Sequence, residues 1–339
     1  MKQPVRFGVI GINHGHIYGQ IRHMLAGGAE FAKWFAPEPD LVAAFGGRFD
    51  GVPMASGEEE ILEDDAIQVI LSASIPCDRA PLGIRAMRHG KDFMADKPGI
   101  TTLEQLAEVR QVQAETGQIF SICYSEHYDS PCTVRAGELV SAGAIGKVVQ
   151  TLGLGPHRAN IDSRPYWFFR KAQYGGILTD IGSHQVEQFL FFTGSTSATV
   201  VSSAVANYRY PQYSELEDFG EMTLKGDGGH GYVRLDWYTP EGLSSWGDGR
   251  LTILGTEGYI ELRKNVDITH NRGGEHLFLV DRSGEQYIDC KQQPLPFGPA
   301  FVSDVMNRTE THSPQWRTFL AMDLALVAEQ EALRSGNLS

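Results

Sequence analysis

Cysteine is scarce in this chain of 339 residues. Only four are present, at positions 77, 123, 132 and 290, and no two of them have a Cys-x-x-Cys spacing. This scarcity excludes a small scaffold held together by disulfides, and the spacing matches no zinc-binding signature. In a chain of this length we expect buried free thiols, which are typical of a cytoplasmic protein.

Long apolar runs are also missing. No stretch approaches the ~18 uninterrupted apolar residues that a membrane-spanning helix needs. The first residues, Met1 to Phe7, lead directly into an apolar strand and lack the apolar core and cleavage site of a signal peptide. Both observations favour a cytoplasmic protein and argue against a membrane partner.

Positive charge is in deficit. The chain has 29 Lys and Arg against 42 Asp and Glu, giving a net charge of −13, and we find no dense basic cluster. Nucleic acid and anionic membranes are therefore poor candidate partners. A small-molecule substrate remains, and the length allows two domains.

The first third of the chain alternates short apolar runs with helix-like segments. Strands are predicted at Val5 to Ile10, Phe31 to Phe35, Ile67 to Ile75, Asp92 to Ala95 and Ile119 to Tyr124. This alternation predicts an α/β fold with a doubly wound parallel sheet. Because ligands bind outside the carboxyl ends of such strands, we expect Gly11, Ser74 and Lys97 to lie close together.

The pattern changes near residue 125. Strand-like segments dominate from Ala198 to Tyr287, and a helix is predicted from Pro314 to Arg334. Strands that follow one another in sequence favour a large, open, mainly antiparallel sheet in an α+β domain. We therefore predict two domains, at residues 1–124 and 125–339.

One segment combines glycines with proton-transfer chemistry. Gly175 and Gly176 precede Asp180 and His184, which are four residues apart and would share one face of a helix. A carboxylate in that position can orient an imidazole and adjust its proton affinity, as a general base requires. The alternative is a structural histidine held by a nearby acid.

Taken in order along the chain, these motifs resemble those of the Gfo/Idh/MocA family of inositol- and glucose-fructose-oxidoreductase-like enzymes. The resemblance rests on the glycine loop at Gly11, on Asp96-Lys97-Pro98, on Gly143-Ala144-Ile145-Gly146-Lys147 and on the segment from Gly175 to His184. It implies an N-terminal Rossmann domain that binds NAD or NADP, and a second domain for substrate binding and oligomerisation. A homodimer or homotetramer is expected, formed through the exposed sheet face.

The resemblance also implies a reaction and its residues. The family transfers hydride between a nicotinamide cofactor and a sugar, cyclitol or related polyol. Lys97 matches the lysine that hydrogen-bonds the substrate, and Asp180 and His184 match the acid and the base. We expect these three groups to meet at one hydroxyl. Candidate cofactor-binding residues are Gly11, Asn13, His14, Gly15, His16, Ala73, Ser74 and Lys97, and candidate substrate-binding residues are His127, His157, Arg158 and Trp167.

The dinucleotide fingerprint departs from the family pattern. Asn13 and His16 stand where G-x-G-x-x-G has its second and third glycines. The acid expected after the second strand is absent: Ala36 cannot bind a ribose diol, and Glu38 lies two residues out of register. These changes are compatible with NADP as the cofactor, with weak binding of a dinucleotide, or with no dinucleotide at all.

Three alternatives stay open from the sequence. His14 and His16 could join a metal cluster, but their spacing matches no zinc signature, so we predict no metal and favour phosphate contact or packing. The same scaffold could also carry a non-redox lyase or hydrolase, with a metal or a redox relay. Finally, a binding protein could keep the fold without turnover.

Overall fold

The computed structural model describes residues 3–269 and 273–335. The chain forms two compact units. The first comprises Met1–Cys123 and Pro296–Phe319, and the second comprises Tyr124–Leu295 and Leu320–Ser339. The functional division at 1–124 and 125–339 stays a prediction.

The first unit is built from alternating strands and helices. Its strands are β1 (Arg6–Ile10), β2 (Glu30–Phe35), β3 (Val69–Ser72), β4 (Asp92–Asp96) and β5 (Phe120–Cys123). Its helices in this part of the chain are α1 (Ile17–Ala26), α2 (Pro39–Arg48), α3 (Glu59–Leu62), α4 (Pro76–Arg88) and α5 (Leu103–Thr116).

The five strands form one parallel sheet in the order β2-β1-β3-β4-β5. Every residue of β3, β4 and β5 is buried. Such continuous burial is typical of a parallel sheet covered on both faces by helices. The predicted α/β class is confirmed.

The sequence pattern predicts a helix from Leu103 to Thr116, and local capping explains why α5 has these bounds. The Thr102 side chain accepts a hydrogen bond of 3.1 Å from the Gln105 amide, which caps the first turn. Gly117 ends the helix with a φ of +67°, a conformation that favours glycine.

The pattern also predicts a helix from Leu82 to His89, but α4 begins six residues earlier. Its first residue is Pro76, and the first turn of a helix tolerates proline.

The second unit contains short helices around a long sheet. Its helices are α6 (Ser125–Tyr128), α7 (Pro131–Ser141), α8 (Lys171–Tyr174), α9 (Ile177–Asp180) and α10 (Gly182–Thr193). Its strands are β6 (Val148–Pro156), β7 (Ala198–Ala206), β8 (Phe219–Gly226), β9 (His230–Asp236), β10 (Arg250–Gly255), β11 (Tyr259–Arg263), β12 (His276–Asp281) and β13 (Gly284–Asp289). Two 3₁₀ turns lie at Ile161–Ser163 and Tyr166–Phe169.

These strands form a mixed, mainly antiparallel sheet. In spatial order they are β13-β12-β11-β10-β6-β9-β8-β7, and only the β6–β9 pair is parallel among them. Alternate residues of β8 to β11 are buried, so one face packs on helices and the other faces outward. Helix α10 packs on β6 and β9. The predicted open sheet is confirmed.

The last part of the chain contributes to both units. It forms α11 (Phe297–Asn307), α12 (Gln315–Glu331) and β14 (Leu333–Ser335). The predicted helix from Pro314 to Arg334 therefore ends early, and β14 pairs in parallel with β7 instead. Within the described residues, no helix has the length and hydropathy to cross a membrane.

Three contacts join this return segment to the first unit. The Phe297 ring packs edge-on against His23, with centroids 5.0 Å apart. Arg308 Nη1 lies 2.6 Å from Asp92 Oδ2, whose side chain is buried. The Phe120 amide at the start of β5 donates to Gln315 Oε1 at 2.9 Å. Residues 296–319 thus complete the hydrogen bonding and ion pairing around the parallel sheet.

Candidate functional site

A tight glycine turn follows β1 in the first unit. The Gly11 amide donates to Phe35 O at 3.0 Å, and the Ala73 amide donates to Gly11 O at 3.1 Å. Gly11 has a φ of +81°, and a Cβ there would lie 2.6 Å from the Cβ of Ser74. Only glycine suits this position, because both its backbone conformation and its surroundings exclude a side chain.

The predicted cofactor loop is assembled around this turn. The His14 amide donates to Ala73 O at 3.0 Å, and His16 precedes the first residue of α1. The loop from Gly11 to His16 therefore lies beside residues 73–74 at the carboxyl edge of the sheet. The amino end of α1 presents backbone amides there, which suits a phosphate.

Asp96 is the centre of a buried ionic cluster at this edge. Its carboxylate is 1% exposed and lies 3.0 Å from His14 Nδ1, 2.9 Å from His16 Nδ1 and 3.3 Å from the Arg79 guanidinium. The Lys97 amide donates to Asp96 Oδ1 at 2.7 Å. Arg79 also donates to Lys97 O at 2.5 Å, which fixes the backbone of that lysine.

The protonation states follow from this cluster. Burial acts to raise the pKa of Asp96, but the positive charges of His16, Arg79 and His14 outweigh burial and hold that pKa well below its ordinary value. Burial, reinforced by repulsion from His16, lowers the pKa of His14 to about 4 although Asp96 opposes the change. Asp96 is therefore a carboxylate and His14 a neutral imidazole at neutral pH.

Donor atoms of His14, His16 and Asp96 lie within 4.8 Å of one another, as in a metal site. However, Arg79 already neutralises the same carboxylate, and the ammonium-bearing Lys97 follows it in sequence. Positive charge in this position disfavours a divalent cation and favours an anion. The arrangement therefore suits a phosphate, and the absence of a metal stays a prediction.

A groove in the first unit extends from the glycine turn along the ends of β2 and β3. Its lining includes Gly11, Asn13, Glu38, Ser74 and Arg85. Asn13 Nδ2 donates to Glu38 Oε1 at 2.7 Å, and Glu38 Oε2 is buried with no hydrogen-bond partner. A buried carboxylate oxygen without a donor fits a ligand hydroxyl, because the unpaired atom is unfavourable otherwise.

Glu38 lies in the groove although it is two residues out of register with the acid of the family pattern. Glu38 is the residue before α2, and its extended backbone brings the side chain back to Asn13. The two extra residues after β2 therefore shift the acid along the chain without removing it from the groove. The residues present fit a dinucleotide: a glycine turn, an amino end of a helix and an acid for a ribose.

Asp180 and His184 lie in the second unit, on two helices rather than on the single helix that their spacing predicts. Asp180 ends α9, Ile181 interrupts the helical pattern, and His184 belongs to the first turn of α10. The His184 amide donates to Ile181 O at 3.1 Å. His184 is buried, with 1% of its surface exposed.

The two glycines before α9 are required by a buried acidic cluster. Gly175 and Gly176 have φ values of +93° and +95°. The Ile177 amide donates to Glu217 Oε2 at 3.0 Å, and the Leu178 amide donates to Glu329 Oε2 at 3.0 Å. The Glu329 carboxyl group occupies the space that a Cβ on residue 176 would need. The motif thus gives both carboxylates access to the amides of α9.

Lys171 balances these two acids. Its ammonium contacts Glu217 Oε1 at 2.5 Å and also contacts Glu329. Burial and the neighbouring Glu217 raise the pKa of Glu329 to about 7. Burial also acts to raise the pKa of Glu217, but Lys171 and the hydrogen bond from the Ile177 amide outweigh it and lower that pKa. The cluster fixes the amino end of the helix that carries Asp180.

A second polar network surrounds the first turns of α10. Gln185 Nε2 donates to Glu126 Oε2 at 2.6 Å, and Lys264 Nζ lies 3.4 Å from the same oxygen. Lys264 also donates to Gln188 Oε1 at 2.6 Å, and Gln188 Nε2 donates to His184 O at 2.9 Å. The network therefore leads from Glu126 back to the residue predicted as the base.

Arg164 lies near Asp180. Its guanidinium lies 4.4 Å from the Phe168 ring centroid and 5.0 Å from that of Trp237. Burial lowers the pKa of Arg164, whereas the negative charge of Asp180 acts to raise it. Both rings are buried, so the Arg164 guanidinium covers them on the side near Asp180.

Two predicted substrate residues have structural surroundings. His127 is 4% exposed; its Nδ1 lies 2.9 Å from Glu187 Oε2, and its ring packs on Phe191 at 4.4 Å. One Arg158 nitrogen donates to three main-chain oxygens, of Pro240, Leu243 and Ser245, and so holds that loop. The substrate roles of these two residues stay predictions.

The other two are half-buried among aromatic rings. The His157 ring lies 5.4 Å from that of Trp237 and 4.6 Å from that of Trp246, and its Nδ1 contacts Gly155 O at 3.0 Å. Trp167 packs edge-on against Phe168 at 6.4 Å. Their substrate roles stay predictions, as does the meeting of Lys97 with Asp180 and His184.

Sequence reasoning missed Arg79, Lys264 and the structural role of Glu126. No spacing rule could have found Arg79 and Lys264, since each pairs with an acid far away in sequence. For Glu126 a signal existed: the Ser125-Glu126-His127 segment departs from the family's Asn-x-Arg. That departure indicated a changed charge but not its partner.

The fold and the glycine turn at the carboxyl edge of the parallel sheet define a two-domain oxidoreductase with a Rossmann domain. Comparison with known proteins agrees with this class. Residues 5–124 match the oxidoreductase family described as an NAD-binding Rossmann fold, and residues 133–261 match the GFO/IDH/MocA C-terminal domain. The chain belongs to the GFO/IDH/MocA family of oxidoreductases.

Individual relatives are similar to this chain in structure or in sequence. A crystal structure from Erwinia carotovora atroseptica, of a protein provisionally named an oxidoreductase, has a TM-score of 0.94 and 48% identity over 97% of this chain and 99% of that one. Levoglucosan dehydrogenase of Pseudarthrobacter phenanthrenivorans is 24% identical over 80% of this chain and 67% of the relative. D-xylose dehydrogenase of Paenarthrobacter nicotinovorans is 27% identical over 131 residues, which span 37% of this chain and 34% of the relative.

We expect Gly176→Ala to destabilise the second unit. The new Cβ would collide with the Glu329 carboxyl group and separate it from Leu178, so the free energy of unfolding should fall by roughly 2–4 kcal/mol. Gly143→Ala is the matched control, because Gly143 also has a positive φ, +80°, but open space around its Cα. Urea unfolding measures both, and equal losses in the two variants would contradict the role of Glu329.

Proposed function

We propose that this protein transfers hydride between a nicotinamide dinucleotide and a secondary alcohol of a sugar, cyclitol or related polyol. The observation that carries the proposal is the carboxyl edge of the parallel sheet. There a glycine turn without room for a Cβ stands beside a lysine held in place by Asp96 and Arg79. The bound dinucleotide would supply the hydride acceptor.

Each proposed catalytic residue has one task. His184 accepts the proton of the substrate hydroxyl at an imidazole nitrogen. Lys97 stabilises the developing alkoxide by a charge-assisted hydrogen bond. Asp180 binds a neighbouring hydroxyl or orients the imidazole. The buried position of His184 supports this reading, because a base that is shielded from water interacts more strongly with a charged partner.

The groove supports a preference for NAD over NADP. Glu38 offers a buried carboxylate oxygen without a partner, which suits the two hydroxyls of a ribose and repels a 2′-phosphate. Arg85, the basic side chain in the same lining, is already paired with Glu58 at 2.7 Å and Glu59 at 2.8 Å. A 2′-phosphate would therefore meet an acid and no available cation in this groove.

A sugar or polyol is the proposed substrate class. Dehydrogenases named for D-xylose and levoglucosan are relatives in sequence, and they support a sugar as the substrate. We assign substrate contact to the four predicted residues, His127, His157, Arg158 and Trp167. His157 and Trp167 are half-buried among aromatic rings, which is a surrounding that suits a hydroxylated ring.

The outward face of the second sheet supports a homodimer or homotetramer. Strand register places Leu152, Leu254, Tyr259, Phe278 and Tyr287 on that face, together with charged residues. Apolar surface of this extent is typical of an interface. The four free cysteines support a cytoplasmic location, and the net charge of −13 argues against nucleic-acid and membrane partners.

Replacing the proposed base should strongly lower turnover and leave cofactor binding unchanged. His184→Ala should lower kcat by ~10²–10⁴ with D-xylose, levoglucosan or a cyclitol as substrate, because no other group takes the hydroxyl proton. Nicotinamide fluorescence should give an unchanged Kd for NADH. His230→Ala, on the exposed part of β9, is the control. Full activity of the His184 variant would refute the assignment, and failure of the wild type to bind NADH or NADPH at millimolar levels would refute the reaction.

The cofactor preference depends on Glu38. Glu38→Gln should weaken NAD⁺ binding by roughly 10-fold or more, because a charged hydrogen bond to the ribose is lost, and should narrow the gap between NAD⁺ and NADP⁺. Isothermal titration with each dinucleotide measures both effects. Glu30→Gln serves as control, since Glu30 pairs with Arg6 at the surface. Tighter binding of NADP⁺ than of NAD⁺ by the wild type would contradict the proposal.

The sheet interface is tested by molar mass. Leu152→Asp places a charge at the centre of the outward face and should convert the assembly to monomers in light scattering, because the charge would be desolvated on association. Leu333→Asp, an exposed residue of β14 at the sheet edge, should leave the molar mass unchanged. A wild type that is monomeric at micromolar concentration overturns this assignment.

A further inference from the structure

Glu126 lies in a buried network whose parts converge on His184. Gln185 and Gln188 flank that histidine on α10, and both bond to Glu126 or to its partner Lys264. Lys264 is 5% exposed and also donates to Glu126 O at 3.0 Å. A buried lysine with three oxygen partners holds α6 to the first turns of α10 and fixes where the carboxylate points.

The packing leaves this network little freedom. A Cβ on Gly153 of β6 would lie 2.5 Å from Gln185 Oε1, so the glycine provides the space that Gln185 occupies. Gln188 is fully buried and donates to His184 O at 2.9 Å. The carboxylate, the two amides and the ammonium are thus positioned together, and the main chain of the histidine is part of the same network.

The charges around Glu126 explain its protonation state. Burial acts to raise its pKa, but Lys264, His184 and His157 act in the opposite direction, and with the Gln185 hydrogen bond they lower the pKa to about 2. Lys264 follows β11, His184 lies on α10 and His157 follows β6, and of these elements α10 packs against α6. Glu126 is therefore an anion at every pH at which the protein would work.

We propose that Glu126 is a positioning residue of the reaction, which holds the turn that carries His184 and stabilises the positive charge on the His184 ring after proton transfer. The proposal rests on His184 being the base. In the step concerned, the substrate O–H bond breaks and an N–H bond forms on His184, while the hydride leaves the carbinol carbon for the dinucleotide. The Glu126 carboxylate then attracts the imidazolium that forms.

The sign of the effect follows from electrostatics. A fixed negative charge favours the imidazolium, so it makes His184 a stronger base than the neutral side chain would. Lys264 offsets part of that charge, so the net influence is smaller than that of an isolated carboxylate. Glu126→Gln should therefore weaken the base, and Lys264→Met, which leaves the carboxylate uncompensated, should strengthen it.

The pH profile of kcat tests this directly. In the oxidation direction, activity rises as His184 loses its proton, and Glu126→Gln should move the midpoint of that rise down by roughly 0.5–1 pH unit, while Lys264→Met should move it up. Glu126→Asp should return the midpoint towards that of the wild type. Glu221→Gln is the control, because Glu221 bonds to Tyr232 elsewhere on the sheet. Coincident midpoints for wild type and Glu126→Gln would overturn the proposal.

A second readout does not depend on turnover. The ¹³Cε1–¹H signal of His184, assigned by its loss in His184→Asn, should titrate at lower pH in Glu126→Gln than in the wild type. If the signal shifts but His184→Ala keeps full activity, His184 is not the base, although its electrostatic interaction with Glu126 stands. If the signal does not shift and His184→Ala is inactive, His184 remains the base and the proposed role of Glu126 is wrong. If Glu126→Gln fails to fold, Lys264→Met carries the test alone, and a His184 signal that titrates at the wild-type pH or below it would then count against the proposal.

Discussion

The desolvated carboxylate of Asp96 constrains the whole edge of the parallel sheet. Burying an unpaired charge is unfavourable by several kcal/mol, so the loops around Asp96 must supply compensating groups. They supply two imidazoles from the loop after β1, a guanidinium from α4 and the amide of Lys97. The loop after β1, helix α4 and the segment that follows β4 are thereby tied to one side chain.

This constraint explains the unusual fingerprint. His14 and His16 lie in a loop where the family pattern has small residues, and both are partners of the same carboxylate. Asn13, in place of a glycine, donates to Glu38 and orients the acid in the groove. In the sequence, these residues are departures from the dinucleotide-binding motif. In the structure, they pair with the acids Asp96 and Glu38.

The second unit uses the same physical device twice. Lys171 lies between the acids that hold α9, and Lys264 lies between the carboxylate and the amide that hold α10. In both cases a cation joins oxygen atoms from segments far apart in the chain and fixes the start of a helix. Asp180 lies on the first of these helices and His184 on the second.

Local signals predicted local structure well. Thr102 and Gly117 mark the ends of α5 because capping depends on neighbours in sequence. The strand β14 was not predicted, since it depends on a tertiary pairing with β7. The interruption at Ile181 was not predicted either, and Ile181 keeps right-handed helical dihedral angles there. Likewise the glycine loop and the Asp180/His184 segment were identifiable as motifs, whereas Arg79 and Lys264 act across 17 and 138 residues, and no periodicity encodes such pairs.

The segment from Pro296 to Phe319 has a consequence for how the chain matures. During synthesis, the parallel sheet gains Gln315 and Arg308 only after residues 124–295 have been made. Until then, the Phe120 amide lacks its side-chain acceptor and the buried Asp92 carboxylate lacks its guanidinium partner.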